Sequence, residues 1–307
     1  MSGARRVLIL GAGGQVGREL RRSFAGMGEV VALDRGSANL AEPEQLREVV
    51  RGATPDVILN AAAYTAVDRA ETERELAFAV NAEAPRVLAE EARRLNALLV
   101  HYSTDYVFDG SKAAPWVESD ETGPLNVYGA SKLAGEQAIA AVGGRYLTFR
   151  TSWVYGPHGK NFLLTMLRLG RERDRLRVVD DQFGAPTSSM EIADATQRIV
   201  EMVLSGDLSA SESWSGVYHM SCAGSTTWCG FARAIFERGW DLLDGKRPQV
   251  EGIPTAEYPT PARRPVNSVL SNEALWGRFG VRLAGWEAAL DRVLEVLQDL
   301  EQTGSRQ

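Results

Sequence analysis

Tyr128 and Lys132 stand four residues apart in Tyr128-Gly-Ala-Ser-Lys132, a spacing that puts both side chains on one face of a helix. A phenol beside an ammonium gives up its proton below its ordinary value of about 10, so the pair reads as a poised proton donor and acceptor. Alone, the spacing suits a surface lysine beside a packed tyrosine equally well. The added signal is Ser103-Thr104-Asp105, 24 residues before Tyr128 counted from Thr104. It ends a predicted strand, at the edge where open α/β sheets bind ligands. A threonine hydroxyl there can hydrogen-bond the same carbonyl oxygen that the phenol protonates.

A second chemistry is written in Gly11-Ala-Gly-Gly-Gln-Val-Gly17, between a predicted strand and a predicted helix. Glycines let the backbone approach a pyrophosphate, and the helix start supplies N–H donors. Asp34 falls 20 residues after Gly14, at the end of the next strand, where a carboxylate accepts ribose hydroxyls. Arg35 follows, and its guanidinium can pair with a 2′-phosphate. NADPH and NADH therefore both stay open.

These groups need a parallel sheet to hold them. Short apolar runs at 6–10, 29–34, 55–60, 97–103 and 145–150 alternate with amphipathic runs at 15–26, 43–51, 83–95 and 127–141, the rhythm of βαβ units. The expected class is α/β, a Rossmann-type doubly wound parallel sheet with a smaller, loop-rich C-terminal substrate domain. After about Thr151 the rhythm breaks, and 246–265 carries five prolines. The expected division gives 1–152 to the dinucleotide-binding domain, rejoined by about 172–182 and 190–222. The smaller domain takes about 153–171, 183–189 and 223–307.

A chain of 307 residues with 44% hydrophobic and 24% charged residues has the composition of a soluble globular protein. A net charge of -6 argues against a sequence-independent grip on nucleic acid. No 18-residue apolar stretch or charged-then-apolar leader is seen, so no membrane contact and a cytoplasmic location are expected. Cys222 and Cys229 match neither a redox pair nor a zinc set and read as buried thiols. His101 lies inside an apolar strand run and reads as a satisfied strand histidine.

With these groups in place, the chain resembles the extended short-chain dehydrogenase/reductase superfamily, and within it the dTDP-4-dehydrorhamnose reductase family. The likeness is carried by Asn60-Ala-Ala-Ala-Tyr-Thr-Ala-Val-Asp68, Tyr102-Ser-Thr-Asp-Tyr-Val-Phe-Asp-Gly110 and Pro124-Leu-Asn-Val-Tyr-Gly129. It continues through Arg150-Thr-Ser-Trp-Val-Tyr-Gly156, Asp181-Gln-Phe-Gly-Ala-Pro-Thr187 and Tyr258-Pro-Thr-Pro-Ala-Arg-Arg-Pro265.

The resemblance implies Tyr128 as proton donor with Lys132 as its partner and ribose anchor. It implies Thr104 and Asp105 at the reacting carbon of a dTDP-sugar, with Trp153 as an apolar wall for the deoxyhexose. Gly14, Gln15 and Val16 would hold the pyrophosphate, Asp34, Asn39 and Leu40 the adenosine end, and Ala63, Tyr64 and Thr65 the nicotinamide side. Asn161, Gln182 and Arg264 would touch the nucleotide phosphates or the sugar. Some relatives dimerise around a divalent cation held by helix carboxylates, Glu19 supplying one. The second position here is shifted by one residue to Glu191, about 100° around a helix, so no structural Mg2+ is expected, and monomer and homodimer both stay open. The implied reaction is NAD(P)H-dependent reduction of a 4-keto-6-deoxyhexose nucleotide. Two rivals remain: a sugar-nucleotide epimerase or dehydratase, disfavoured because Tyr106 rather than a second acid follows Asp105, and a non-catalytic NADP-binding subunit like the β subunit of methionine adenosyltransferase.

Overall fold

The computed structural model describes residues 4–206 and 214–304. Five strands alternate with helices as the apolar periodicity requires: β1 (Arg6–Leu10), β2 (Glu29–Leu33), β3 (Val57–Asn60), β4 (Leu98–Thr104) and β5 (Tyr146–Thr151). With the edge strand Gly216–His219 they form one parallel sheet in the order β2, β1, β3, β4, β5, Gly216–His219. β3 and β4 are buried along their whole length, which explains why they read as unbroken apolar runs. From β1 the chain steps out to β2 and then crosses back to β3. Loops leaving β1 and β3 therefore diverge, which opens a crevice at the carboxyl end.

Alternate residues of each strand serve opposite faces. Val7, Ile9, Leu59, Val100 and Phe149 pack under the helices Gln15–Ser23, Ser189–Ser205 and Glu273–Phe279. Leu8, Leu10, Ile58 and Leu99 pack under Pro43–Ala53, Ala84–Leu95 and Val127–Val142.

The strand Arg175–Val179, within the stretch of about 172–182 expected to rejoin the dinucleotide-binding domain, stands apart from this sheet. It pairs in parallel with Gln249–Ile253, and Leu176 and Val178 join a separate core with Phe231, Ile235 and Leu290. Its exposure alternates, Arg175 and Arg177 facing outward, as suits a strand covered on one side only. Gln249–Ile253 lies between Pro248 and Pro254, so the proline-rich tract bounds a strand. The helices Phe162–Glu172, Trp228–Arg238 and Trp286–Gly304 complete this lobe. Two short pairings tie the chain's crossings together: Val154–Tyr155 with Thr187–Ser188, and Phe183–Gly184 with Thr226–Thr227.

Candidate active site

The crevice holds a cleft of about 650 Å³ that runs from Asp34, Arg35, Asn39 and Leu40 past the glycine turn to Tyr128 and Lys132. Gly11, Gly14, Gln15, Val16, Ala63, Tyr64 and Thr65 also line it. Gly17 is the one member of the expected dinucleotide set behind the wall. A methyl there would lie 2.1 Å from the Gly11 carbonyl oxygen, so this glycine serves close packing of helix on turn. Gly11 has φ +78, and a methyl on it would press into the Ala62 backbone at 2.7 Å. The turn is thus built from glycine for steric reasons, and it lines the cleft at the start of the helix Gln15–Ser23.

Asp34 spends one oxygen on its own loop. Oδ1 accepts from the Gly36 and Ser37 N–H groups at 3.0 and 3.2 Å, bonds that do not use Oδ2. Arg35 is exposed beside it. At the other end, the buried Asn81 amide brackets Tyr64, accepting from its N–H at 2.8 Å and donating to its carbonyl at 2.9 Å. This holds 61–65 in place. Asn81 was not singled out from sequence, although a lone asparagine amid the alanine-rich run 77–84 was a readable signal. Lys160 also lines the cleft and was not singled out either.

The reacting end is set by one helix start. Asn126 caps Val127–Val142 by accepting from the Gly129 N–H at 2.8 Å. A methyl at Gly129 would fall 2.2 Å from the Tyr106 carbonyl oxygen, so the helix start presses on the turn Asp105–Val107. That contact brings Tyr128 against Thr104. The Thr104 hydroxyl donates to Asp105 Oδ1 at 2.9 Å, and the Tyr106 N–H donates to Thr104 at 3.2 Å. Burial pushes the Asp105 carboxyl up to about 6, against the pull of the Ser268 and Thr104 hydroxyls.

The phenol behaves differently from the sequence reading. Burial raises Tyr128 above its ordinary value, Asp105 adds to this, and only the Thr104 hydroxyl opposes it. Lys132 is turned instead to the Tyr102 carbonyl at 2.6 Å and to His101 at 3.2 Å. The tyrosine is therefore firmly protonated, the state a proton donor needs.

None of the six residues expected at the sugar end lines this cleft: Thr104 and Asp105 are buried and bonded to each other, and the other four are each engaged elsewhere. Trp153 has φ +46, strained for a bulky residue. Its ring stacks on Trp228 at 3.6 Å and 9°, and a methyl on Gly184 would sit 2.4 Å from its Cε2. The indole faces are thus taken up by packing between 151–155, 183–184 and 226–231, and the wall reading is left with the ring edge. Asn161 caps the helix Phe162–Glu172 and donates to Gln15 Oε1 at 2.9 Å. Gln182 is buried and donates to Thr255 at 3.1 Å. Arg264 grips Asp68 with two bonds of 2.9 Å. Trp228 and Asp68, the partners of Trp153 and Arg264, were not foreseen.

The carboxylates near Glu19 are paired with arginines. Arg22 binds Glu19 at 2.9 Å and Asp194 at 2.5 Å, and Arg292 binds Glu191 at 3.0 Å and Asp194 at 2.9 Å. Among the described residues, no group of three or more His, Cys, Asp or Glu side chains is placed to hold a metal ion. Among those residues, no helix is long and apolar enough to cross a membrane.

The sequence matches the family described as the RmlD substrate binding domain over residues 5–299. It is 53% identical to a dTDP-4-dehydrorhamnose reductase of Burkholderia thailandensis, over 93% of this chain and 96% of that one. It is 44% identical to the dTDP-4-dehydrorhamnose reductase of Escherichia coli, over 95% and 97%. Among solved structures, a dTDP-4-dehydrorhamnose reductase of Bacillus anthracis in complex with NADP superposes with a TM-score of 0.86 at 34% identity, covering 94% of this chain and 98% of that one. A match that runs through the glycine turn, the tyrosine helix and the irregular lobe alike leaves one assignment: the chain belongs to the dTDP-4-dehydrorhamnose reductase family.

Proposed function

We propose that this protein reduces the C4 keto group of dTDP-4-dehydro-L-rhamnose to the alcohol of dTDP-L-rhamnose, with NADPH as hydride donor. The observation that carries the reading is that Tyr128 and Lys132 line the glycine-turned cleft, with the Thr104 hydroxyl against Tyr128 at the carboxyl end of β4. The nicotinamide, when bound, supplies the hydride. Everything else is asked of this chain. Gly14, Gln15 and Val16 receive the pyrophosphate at the helix start, and Asp34 with Arg35 receives the adenosine ribose. Tyr128 Oη donates its proton to the C4 oxygen, so that C=O becomes CH–OH. Thr104 orients that oxygen by turning its hydroxyl proton from Asp105 Oδ1 to the sugar.

Asp105 Oδ2 is buried without a hydrogen-bond partner, which leaves it to accept a sugar hydroxyl. Arg264 and Gln182, at the lobe junction, are read as contacts to the nucleotide, Arg264 exchanging Asp68 for the diphosphate. The test is oxidation of NADPH, followed by its absorbance, with freshly generated dTDP-4-dehydro-L-rhamnose, and the same assay with NADH. Turnover with this sugar and none with a nucleotide 4-keto sugar of different configuration supports the assignment. Absence of oxidation by a folded, coenzyme-binding protein sinks it.

A further inference from the structure

Asn126 stands two residues before Tyr128 and is buried, with both ends of its amide in use. Oδ1 accepts from the Gly129 N–H at 2.8 Å, which caps the tyrosine helix, and Nδ2 donates to the Arg263 carbonyl at 2.8 Å. A backbone N–H can only donate and a carbonyl can only accept, so these two partners fix which way the amide faces. The cap alone needs no asparagine, since serine, threonine or aspartate also accepts from a helix N–H. What asparagine adds is the donor, and that donor ties the helix start to the proline-rich tract, 137 residues along the chain.

The far end of this tie is itself held. Asp68, in the connection that leaves β3, accepts from the Ala262 N–H at 3.1 Å and from Arg264 through two bonds of 2.9 Å. A methyl on Gly110 would lie 2.5 Å from Pro265 Cβ, and the Asn267 N–H donates to the Gly110 carbonyl at 3.2 Å. Residues 262–267 are thus pinned to two connections, the one after β3 and the one after the turn Asp105–Val107. On the helix side, Ser131 Oγ donates to the Tyr128 carbonyl at 2.7 Å and accepts from Asn81 at 3.0 Å. The Tyr106 ring meets the Tyr128 ring edge-on at 5.8 Å and 78°. Glu71 also accepts from the Val127 N–H at 2.8 Å, but its side chain is exposed, and water can replace that bond. Asn126 has no such substitute.

We propose that Asn126 is a positioning residue for Tyr128: by joining the start of its helix to the Arg263 carbonyl, it makes the place of the phenol depend on the seating of residues 262–267. The catalytic part of this inference rests on the reading of Tyr128 as the proton donor. Reach decides proton transfer, and a displacement of about 1 Å can cost about 10²-fold in rate. The phenol must meet the Thr104 hydroxyl, and Thr104 is fixed by β4 and by its bond to Asp105. The remaining variable is the helix that carries the phenol, and the tie acts on its first turn. Arg264 belongs to the same pinned segment, so a ligand that takes it from Asp68 acts on the residue next to the tie. Ligand seating at Arg264 and proton delivery at Tyr128 then share one stretch of backbone.

Two variants of the full chain keep the cap and lose the tie. Asn126→Ser accepts from Gly129 but is too short to reach Arg263, and Asn126→Asp presents a carboxylate, which cannot donate to a carbonyl. Each should lower kcat roughly tenfold, with the Kd for NADPH unchanged and the Tm close to the parent's. Hydrogen exchange without substrate, read by mass spectrometry, should become roughly fivefold faster in residues 262–267 and 127–131, the worth of one ordinary hydrogen bond. A residue that only caps would leave both readings at the parent level, since serine and aspartate cap as asparagine does. Melting curves confirm that the variant read is folded, and either one suffices. Parent-level exchange in a folded variant overturns the proposal, as does parent-level kcat where the parent turns over. Should the parent itself fail to reduce dTDP-4-dehydro-L-rhamnose, the functional reading falls and the exchange alone decides the tie.

Discussion

Replacing Asp105 by asparagine tests the electrostatics of the site through stability. Asp105 is 3% exposed, and its carboxyl is held near 6 instead of 3.8. Once both states are ionised, that difference disfavours the folded state by about 3 kcal/mol. The sign follows from proton counting. Between pH 4 and 6 the unfolded chain has lost this proton while the folded protein keeps it, so stability falls as pH rises through that window. Asparagine carries no such proton, and its side-chain oxygen still accepts from the Thr104 hydroxyl. The stability of Asp105→Asn relative to the parent should therefore improve by about 2 kcal/mol between pH 4.5 and 7.5, most of it below pH 6. Urea unfolding of both proteins at five pH values measures the difference, and comparison within one pH cancels all other titrating groups. A difference that stays flat across the window would refute the buried, weakly satisfied carboxyl. On the reading proposed above, in which Asp105 accepts a sugar hydroxyl, turnover should fall in the same variant, and unchanged turnover would remove Asp105 from the site.

Tyr128→Phe should lower kcat by roughly 10²–10⁴-fold with NADPH affinity retained, and normal turnover would exclude the phenol as proton donor. Arg35→Ala should raise the KM for NADPH more than that for NADH, because only NADPH carries a 2′-phosphate; equal changes would show that Arg35 does not read it. Trp153→Ala removes the stack on Trp228 and should cost about 3 kcal/mol, seen as a lower Tm, with a smaller effect on the Kd for the sugar nucleotide. An unchanged Tm with weakened sugar binding would restore the wall reading.

The nucleotide half was legible because its chemistry is local. A glycine turn, a carboxylate closing the next strand and a tyrosine and lysine one turn apart are each written within a few residues, and βαβ geometry delivers them to one edge. The irregular half was less so. Arg175–Val179 has a strand's alternation, but which strand it meets depends on Gln249–Ile253, 70 residues on. No local pattern carries such a pairing. Likewise Trp153 and Arg264 can be marked as unusual from sequence, while Trp228 and Asp68, which occupy them, sit 75 and 196 residues away.

His101 shows a further limit. From sequence, a histidine inside an apolar strand is expected to be satisfied, and it is. The expectation fails to say by what. Register alone puts Asn60 and Thr148 on its two sides, and the helix that carries Tyr128 lowers Lys132 onto its free nitrogen. A residue that periodicity assigns to the core thus shares a hydrogen bond with Lys132, on the helix that carries Tyr128. Burial of Lys132, His101 and the Glu136–Arg150 pair is costly, and packing alone gives no reason to retain it. Substituting His101 with an apolar residue of similar volume would remove one such group and leave Asn60 Nδ2 without its acceptor. Asn60, His101 and Lys132 are therefore best understood together, as one chain of hydrogen bonds that ends at the cleft.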